Sequence, residues 1–221
     1  LFPREFYEFD AQGKPVYYSP YNGKIQDGYM YTDNGFWDTF RAVHPLFTLL
    51  YPEVSERVTQ SILNAYDESG FMPEWASPGH RECMIGNNSI SLLTDAWMKG
   101  IRTICPEKAL EAMIHQTEAR HTGISSVGRD GFGYYDRLGY VPYPEVHEAT
   151  AKTLEYAYTD WCVARFADSI GRKEIADTYY RKALNYRNLY YPDYGFMWAK
   201  DANGKWRDAF DATEWGGPFT E

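Results

Sequence analysis

Three cysteines in 221 residues, Cys83, Cys105 and Cys162, are too few and too widely spaced for a disulfide framework, and no Cys-x-x-Cys pair or neighbouring histidine has zinc-site spacing. They read as mostly buried thiols. No run of about 18 apolar residues is present, so no transmembrane helix is expected. Basic residues are outnumbered: 22 Lys and Arg stand against 31 Asp and Glu, for a formal net charge of -9, and the cations are scattered along helices instead of clustered. That excludes the electrostatic footprint of a nucleic-acid binder. The histidines His44, His80, His115, His121 and His147 form no HExxH pattern, and there is neither a Gly-x-Ser-x-Gly elbow nor a phosphate-cradling Gly-x-Gly-x-x-Gly between strand and helix. Leu1-Phe2-Pro3-Arg4 offers no initiator Met and no signal-peptide pattern, so the chain is expected to be a processed or excised piece.

Aromatic residues are abundant, with 20 Tyr, 12 Phe and 7 Trp, many beside Gly or Pro in loops. The stretch Tyr29 to Arg41 concentrates them beside charge: Asp33-Asn34-Gly35-Phe36-Trp37-Asp38-Thr39-Phe40-Arg41 sets two carboxylates, an arginine and an indole next to a glycine turn. Gly35 permits a tight approach to a helix start, and Asp33 or Asn34 can cap that helix. Trp37 and Asp38 then occupy the first turn, where a carboxylate gains from the helix dipole and an indole can lie under a sugar ring. On spacing alone, Trp37 and Phe40 read equally as core residues and Asp38 as a cap.

Residues 1–36 read as an extended lead-in of short strands and turns, followed by helical sequence over 37–221. Periodicity and stop signals predict helices over 37–50, 54–66, 88–99, 106–119, 147–170 and 173–190. Pro106 suits a first helical turn, and Gly70, Gly100 and Gly171 suit helix ends. On the fifth helix, Thr150, Leu154, Ala157, Trp161, Ala164 and Ala167 form one stripe. Asn87-Asn88-Ser89 has the form of a glycosylation acceptor and equally of a helix cap. Residues 121–146 read as a long Gly/Tyr loop whose length points to function or anchoring. The fold class is mainly α: three helical hairpins with long aromatic loops, either an open stack or part of an (α/α)6 toroid completed by further sequence.

Glycoside hydrolysis needs two carboxyl groups, one to protonate the leaving oxygen and one to handle water or the sugar carbon. The loop acids available are Asp33, Asp38, Glu74, Glu82, Asp136, Glu145, Glu148, Asp208, Asp211, Glu214 and Glu221.

The run Asp33 to Arg41, then Thr94-Asp95-Ala96-Trp97-Met98-Lys99-Gly100, then Thr153-Leu154-Glu155-Tyr156-Ala157-Tyr158-Thr159-Asp160-Trp161, and finally Phe219-Thr220-Glu221 resemble, in order, landmarks of the calcium-dependent exo-α-mannosidases of glycoside hydrolase family 92. The resemblance implies an α/α-toroid catalytic domain preceded by a β-sandwich, releasing terminal α-mannose with inversion. It implies Trp37 and Asp38 as mannose contacts, with Asp38 accepting from sugar hydroxyls, and Arg41 as a residue that orients Asp38 or shapes the subsite. Glu221 matches the glutamate that opens the family's Thr-Glu-Gly-Asn segment and is expected to be the general acid, kept protonated by Trp215 and Phe219. The general base and most ligands of the calcium that distorts the sugar and orients water are expected beyond Glu221, so no metal ligand is assigned in this chain and isolated residues 1–221 are expected to be inactive. The implied partners are a mannose-containing glycan and the rest of the parent polypeptide. The implied location is the periplasm or cell surface of a bacterium. Another toroid glycosidase, trehalase-like or an α-glucosidase, and a non-catalytic glycan-binding helical module stand as alternatives.

Overall fold

A computed structural model of the chain describes residues 3–208, 213 and 215–219. Six short strands come first: β1 (Arg4–Phe6), β2 (Glu8–Phe9), β3 (Pro15–Tyr18), β4 (Ile25–Asp27), β5 (Met30–Thr32) and β6 (Asn34–Gly35). β1 pairs antiparallel with β5, and β2, β3 and β4 form a meander. They are fastened to the first long helix. Ser61 Oγ accepts the Tyr31 amide at 2.9 Å, and the Tyr17 and Ser19 hydroxyls both donate to the Glu68 carboxylate.

Among the described residues eight helices follow: α1 (Phe36–Thr39), α2 (Val43–Leu50), α3 (Pro52–Ser69), α4 (Asn88–Met98), α5 (Pro106–Glu118), α6 (Phe132–Leu138), α7 (Ala149–Ser169) and α8 (Lys173–Lys182). Strand β7 (Trp75–Ala76) lies between α3 and α4, and a hairpin of β8 (Tyr190–Tyr191) and β9 (Phe196–Met197) follows α8. The terminators act as their chemistry dictates. Pro52 and Pro106 open α3 and α5, where a missing N–H costs nothing, and Gly70 ends α3 at φ 82°.

Three expectations are corrected. The helix expected over 37–50 is broken at 40–42. Pro45 explains the break: inside one continuous helix its ring would clash with the carbonyl of Arg41, whereas a restart at Val43 puts it in a first turn. The helix expected over 173–190 stops at Lys182 and gives way to a 3-10 turn over Asn185–Leu189. Helix α6 lies within the stretch read as loop; Gly131 and Gly139, both left-handed, delimit it, and tertiary burial of Tyr135 supplies what its weak helix propensity lacks.

Helix α7 is the axis of the core. It packs on α4, α5 and α8, with Val163, Ala164, Phe166 and Ala167 fully buried against residues such as Leu93 and Met113. Its alanines let neighbours approach closely, and each large side chain buried here contributes about 1.5–3 kcal/mol. Trp161, expected on the buried stripe, is 48% exposed; so many sides of α7 are covered that the outward position falls to an aromatic. Of the cysteines, only Cys162 is buried, while Cys83 is half-buried and Cys105 exposed.

One ion pair lies wholly inside this core. Arg129 and Asp160, 1% and 0% exposed, approach to 2.8 Å. Arg129 also donates from Nε to Asn87 Oδ1 (2.8 Å) and from Nη2 to the Tyr156 carbonyl (3.2 Å) and Thr159 Oγ1 (3.0 Å), and Tyr135 donates to Asp160 Oδ2 at 2.8 Å. Removing either charge leaves the other buried without a counter-charge. Arg129→Met is therefore expected to cost about 3–5 kcal/mol. Denaturant unfolding of wild type and variant measures it, and a loss below 1 kcal/mol would contradict this view of the pair.

Candidate functional site

The turn at 33–35 is built so that α1 can start only one way. Asp33 adopts φ 55°, and β6 pairs with β7 so that Gly35 faces Trp75. A Cβ on Gly35 would fall 2.3 Å from the Trp75 ring, so the indole rests on the glycine itself. The Phe36 amide donates to the Glu74 carbonyl at 3.1 Å. No side chain caps α1; Asn34 instead accepts through Oδ1 from Thr39 Oγ1 (2.8 Å) and lies 3.1 Å from His44 Nε2, which locks α1 against α2. Asp33 pairs with Arg4.

This turn displays Trp37 half-buried and Asp38 exposed. Arg41 lies over both the Trp37 ring and the Phe40 ring, 4.5 Å from each centroid, and its charge favours the ionised form of Glu155 on α7. Sequence reasoning missed Glu155 as a site residue. It reads as one more polar position on a long helix, and no local pattern announces that α7 passes behind Trp37. Burial pushes the Glu155 carboxyl up, while Arg41, the Trp37 indole and the Asn88 amide oppose that shift.

Beside Glu155 opens a cavity of about 220 Å³. Glu82, Met84 and Gly86 form one wall, Ser125 and Ser126 a second, and Glu148 at the N-cap of α7, with Lys152 and Tyr156 on its first turns, a third. Met84 (φ 60°) and Glu148 (φ 53°) are held in the left-handed region, which disfavours side chains and is concentrated at functional sites. At the cavity's edge the chain's last described stretch is pinned to α7: the Glu148 amide donates to the Gly217 carbonyl and the Thr150 amide to the Pro218 carbonyl, both at 2.8 Å. Phe219 packs on Trp198 at 5.8 Å, whereas Trp215 is 80% exposed. Glu221, the expected general acid, lies outside the described residues.

The walls are tied together from behind. Asn87, in the motif read as a glycosylation acceptor or cap, is fully buried: Nδ2 donates to the Gly128 carbonyl (3.0 Å) while Oδ1 accepts from Arg129. Asn87 does stand at the N-cap position of α4, but its side chain makes no capping hydrogen bond. Lys152 meets Asp130 at 3.0 Å. Glu74 is buried beneath the start of α4, accepting from the Ser89 amide (3.2 Å), Ser89 Oγ (2.9 Å) and Gln116 Nε2 (2.9 Å). No cation faces it, and burial pushes its carboxyl up to about 8 despite these donors. Among the described residues no group of three His, Cys, Asp or Glu side chains is placed to hold a metal ion. No described helix is long and apolar enough to cross a membrane.

The chain matches the model of the glycosyl hydrolase family 92 catalytic domain over residues 1–221. It is 83% identical to a family GH92 inverting mannosidase from Bacteroides thetaiotaomicron, whose structure superposes with a TM-score of 0.98 over 100% of this chain and 30% of that one. A second family GH92 α-mannosidase from the same bacterium, solved in complex with mannoimidazole, is 32% identical, with a TM-score of 0.85 over 98% of this chain and 29% of its own. An uncharacterised secreted glycosidase of Arthroderma benhamiae is 25% identical over 167 residues, which is 66% of this chain and 21% of that protein. The chain thus spans less than a third of the length of each of these relatives.

The raised Glu74 carboxyl has a consequence for stability. It is protonated at pH 7 in the folded chain but ionised in the unfolded one, whose ordinary value is 4.5. The folded state then binds the extra proton, so this contribution is complete below about 4.5 and is lost as pH rises through about 8. His44, lowered to about 4 by burial, and His80, lowered to about 4 by burial and by His121, act in the opposite sense; their contributions are lost as pH falls from 6.5 towards 4. The melting temperature of wild type relative to Glu74→Gln is accordingly expected to fall between about pH 4.5 and 8 and to level off above. Parallel melting curves across that range would mean that Glu74 is ionised in the fold.

Proposed function

The chain belongs to glycosyl hydrolase family 92, and on that premise we propose that it is part of an inverting exo-α-mannosidase that removes terminal α-mannose from glycans. The observation that carries the reading is the 83% identity to an inverting mannosidase along the whole chain, which leaves little room for a different architecture of the displayed Trp37–Asp38 turn. The readings as a trehalase-like or α-glucosidase hydrolase, or as a glycan-binding module, give way to it.

In this reading the Trp37 indole supplies an apolar face to the pyranose ring, and the exposed Asp38 carboxylate accepts hydrogen bonds from its hydroxyls. Glu221 is the general acid. Inversion requires a second carboxyl group about 6.5–9.5 Å from the acid, to activate water on the opposite face of the sugar, and that base comes from polypeptide beyond this chain. The helices here form three hairpins of an (α/α)6 toroid, which the rest of the protein completes. Most of the calcium ligands, in this reading, come from polypeptide beyond this chain. Export to the periplasm or cell surface suits an enzyme acting on external glycans, and the fungal relative's designation as secreted accords with it.

The test is mannose release from α-mannobiosides by the full-length protein. Release is expected with calcium and is expected to stop when the metal is chelated. Asp38→Asn should lower kcat/KM about 10- to 100-fold, the value of hydrogen bonds to a charged group. Glu221→Gln should lower kcat about 10²- to 10⁴-fold, the usual contribution of a general acid. An active Glu221→Gln enzyme would overturn the assignment of the acid, and failure to release mannose from any linkage would overturn the function.

A further inference from the structure

We propose that the cavity between the 82–86 loop, Ser125–Ser126 and the start of α7 is a second sugar subsite, which holds the leaving sugar while terminal mannose is cut from it, and that Lys152 and Glu82 set how well that sugar is accepted. The inference rests on the reading of the protein as an exo-α-mannosidase with Glu221 as its acid. It goes beyond that reading by assigning residues to the other side of the scissile bond.

The place of the cavity in the chain points to this role. Glu148, on its wall, holds the Gly217 carbonyl through its amide, and the Thr150 amide holds the Pro218 carbonyl, both at 2.8 Å. Glu221 follows Pro218 by three residues, which limits the distance between their Cα atoms to about 11 Å. A general acid protonates the oxygen that joins the terminal sugar to the next, so a sugar subsite lies on each side of it. Trp37 and Asp38, read as contacts of the terminal mannose, do not line this cavity. It is therefore free for the sugar that departs.

The lining fits a neutral polyol. Lys152 is 9% exposed, and among the described residues the partner of its ammonium is Asp130, at 3.0 Å. An ammonium has three donors, so donors remain for a ligand. Glu82 and Glu148 add acceptors. Their carboxylates disfavour an anion and Lys152 disfavours a cation, whereas each sugar hydroxyl both donates and accepts. The volume of about 220 Å³ falls below the range of about 300–1,000 Å³ typical of pockets for drug-sized ligands, which suits a single sugar ring and not a chain of them. The walls are also fixed in advance. Ser125 Oγ donates to the Glu82 carboxylate, and Ser126 Oγ donates to the Arg81 carbonyl (3.1 Å) and accepts from the Cys83 amide (3.2 Å). A site clipped together in this way loses less order when it binds.

The experiment uses the full-length protein and two substrates: the α-mannobiose that wild type cleaves best, and 4-nitrophenyl α-mannoside, which keeps the mannose and replaces the leaving sugar by a flat ring without hydroxyls. Lys152→Met removes the donors at similar side-chain length, and Asp130 keeps Arg120 as a partner at 3.3 Å. Its kcat/KM is expected to fall about tenfold on mannobiose, the value of a hydrogen bond to a charged group, and to stay unchanged on the aryl mannoside. Glu82→Ala, at an exposed position, is expected to act in the same sense and decides the matter if Lys152→Met fails to fold. Equal losses on both substrates, or no loss on mannobiose, would overturn the proposal. A second readout does not depend on catalysis. Cys83 lines the cavity and is half-buried, while Cys105 is exposed and outside it, so mannose should slow alkylation of Cys83 by iodoacetamide several-fold and leave that of Cys105 unchanged. Absence of protection at Cys83 would also overturn it. If wild type released no mannose from either substrate, the functional reading would fall while protection of Cys83 still decided whether the cavity holds a sugar.

Discussion

The buried pair Arg129–Asp160 is the constraint on which the rest of this structure depends. A guanidinium has five donors and no acceptor, so enclosing one requires an acceptor in each direction in which it points. The chain meets that requirement from two separate places, Asn87 before α4, and Tyr156, Thr159 and Asp160 on α7, with Arg129 itself in the loop after α5. Those elements carry the walls of the cavity beside Glu155. The electrostatic demand of one residue thus sets the spacing of loops whose outer faces would meet a sugar.

Glu74 plays a comparable part at a smaller scale. Its side chain accepts from Ser89 and Gln116 while its carbonyl receives the Phe36 amide, so one buried residue connects α4, α5 and the turn that displays Trp37. Two different strategies are combined: a fully paired charge fixes the cavity loops, and a carboxyl held neutral by burial ties α4 to α5 while the backbone carbonyl of the same residue holds the aromatic turn. Both keep polar groups satisfied where water does not reach.

The helical content was legible because it follows from local physics. Pro52, Pro106 and Gly70 act where they stand, and the stripe of Ile90, Leu93, Ala96 and Trp97 on α4 is buried as its period implies. Pro45 breaks the first helix locally, whereas other departures come from contacts that no local window contains. Helix α6 exists because Tyr135 reaches Asp160 on α7, and Asn87 is occupied by Arg129, 42 residues further on. The Trp37–Asp38 turn could be singled out as a cluster of ring and charge beside Gly35. The place of Glu155 near that turn could not, because it depends on how α7 packs, which is a property of the folded chain.

Placing the site's parts at 33–41, 82–88, 148–156 and 217–218 has a consequence for how the molecule is assembled. Contacts between segments so far apart in sequence bear the entropy of closing long loops, and such contacts tend to be made late in folding. During synthesis the Trp37 turn leaves the ribosome well before α7, and until α7 docks the turn lacks the Phe40–Tyr158 contact. In the proposed reading, the surface offered to a sugar is complete only once α7 has docked against the Trp37 turn.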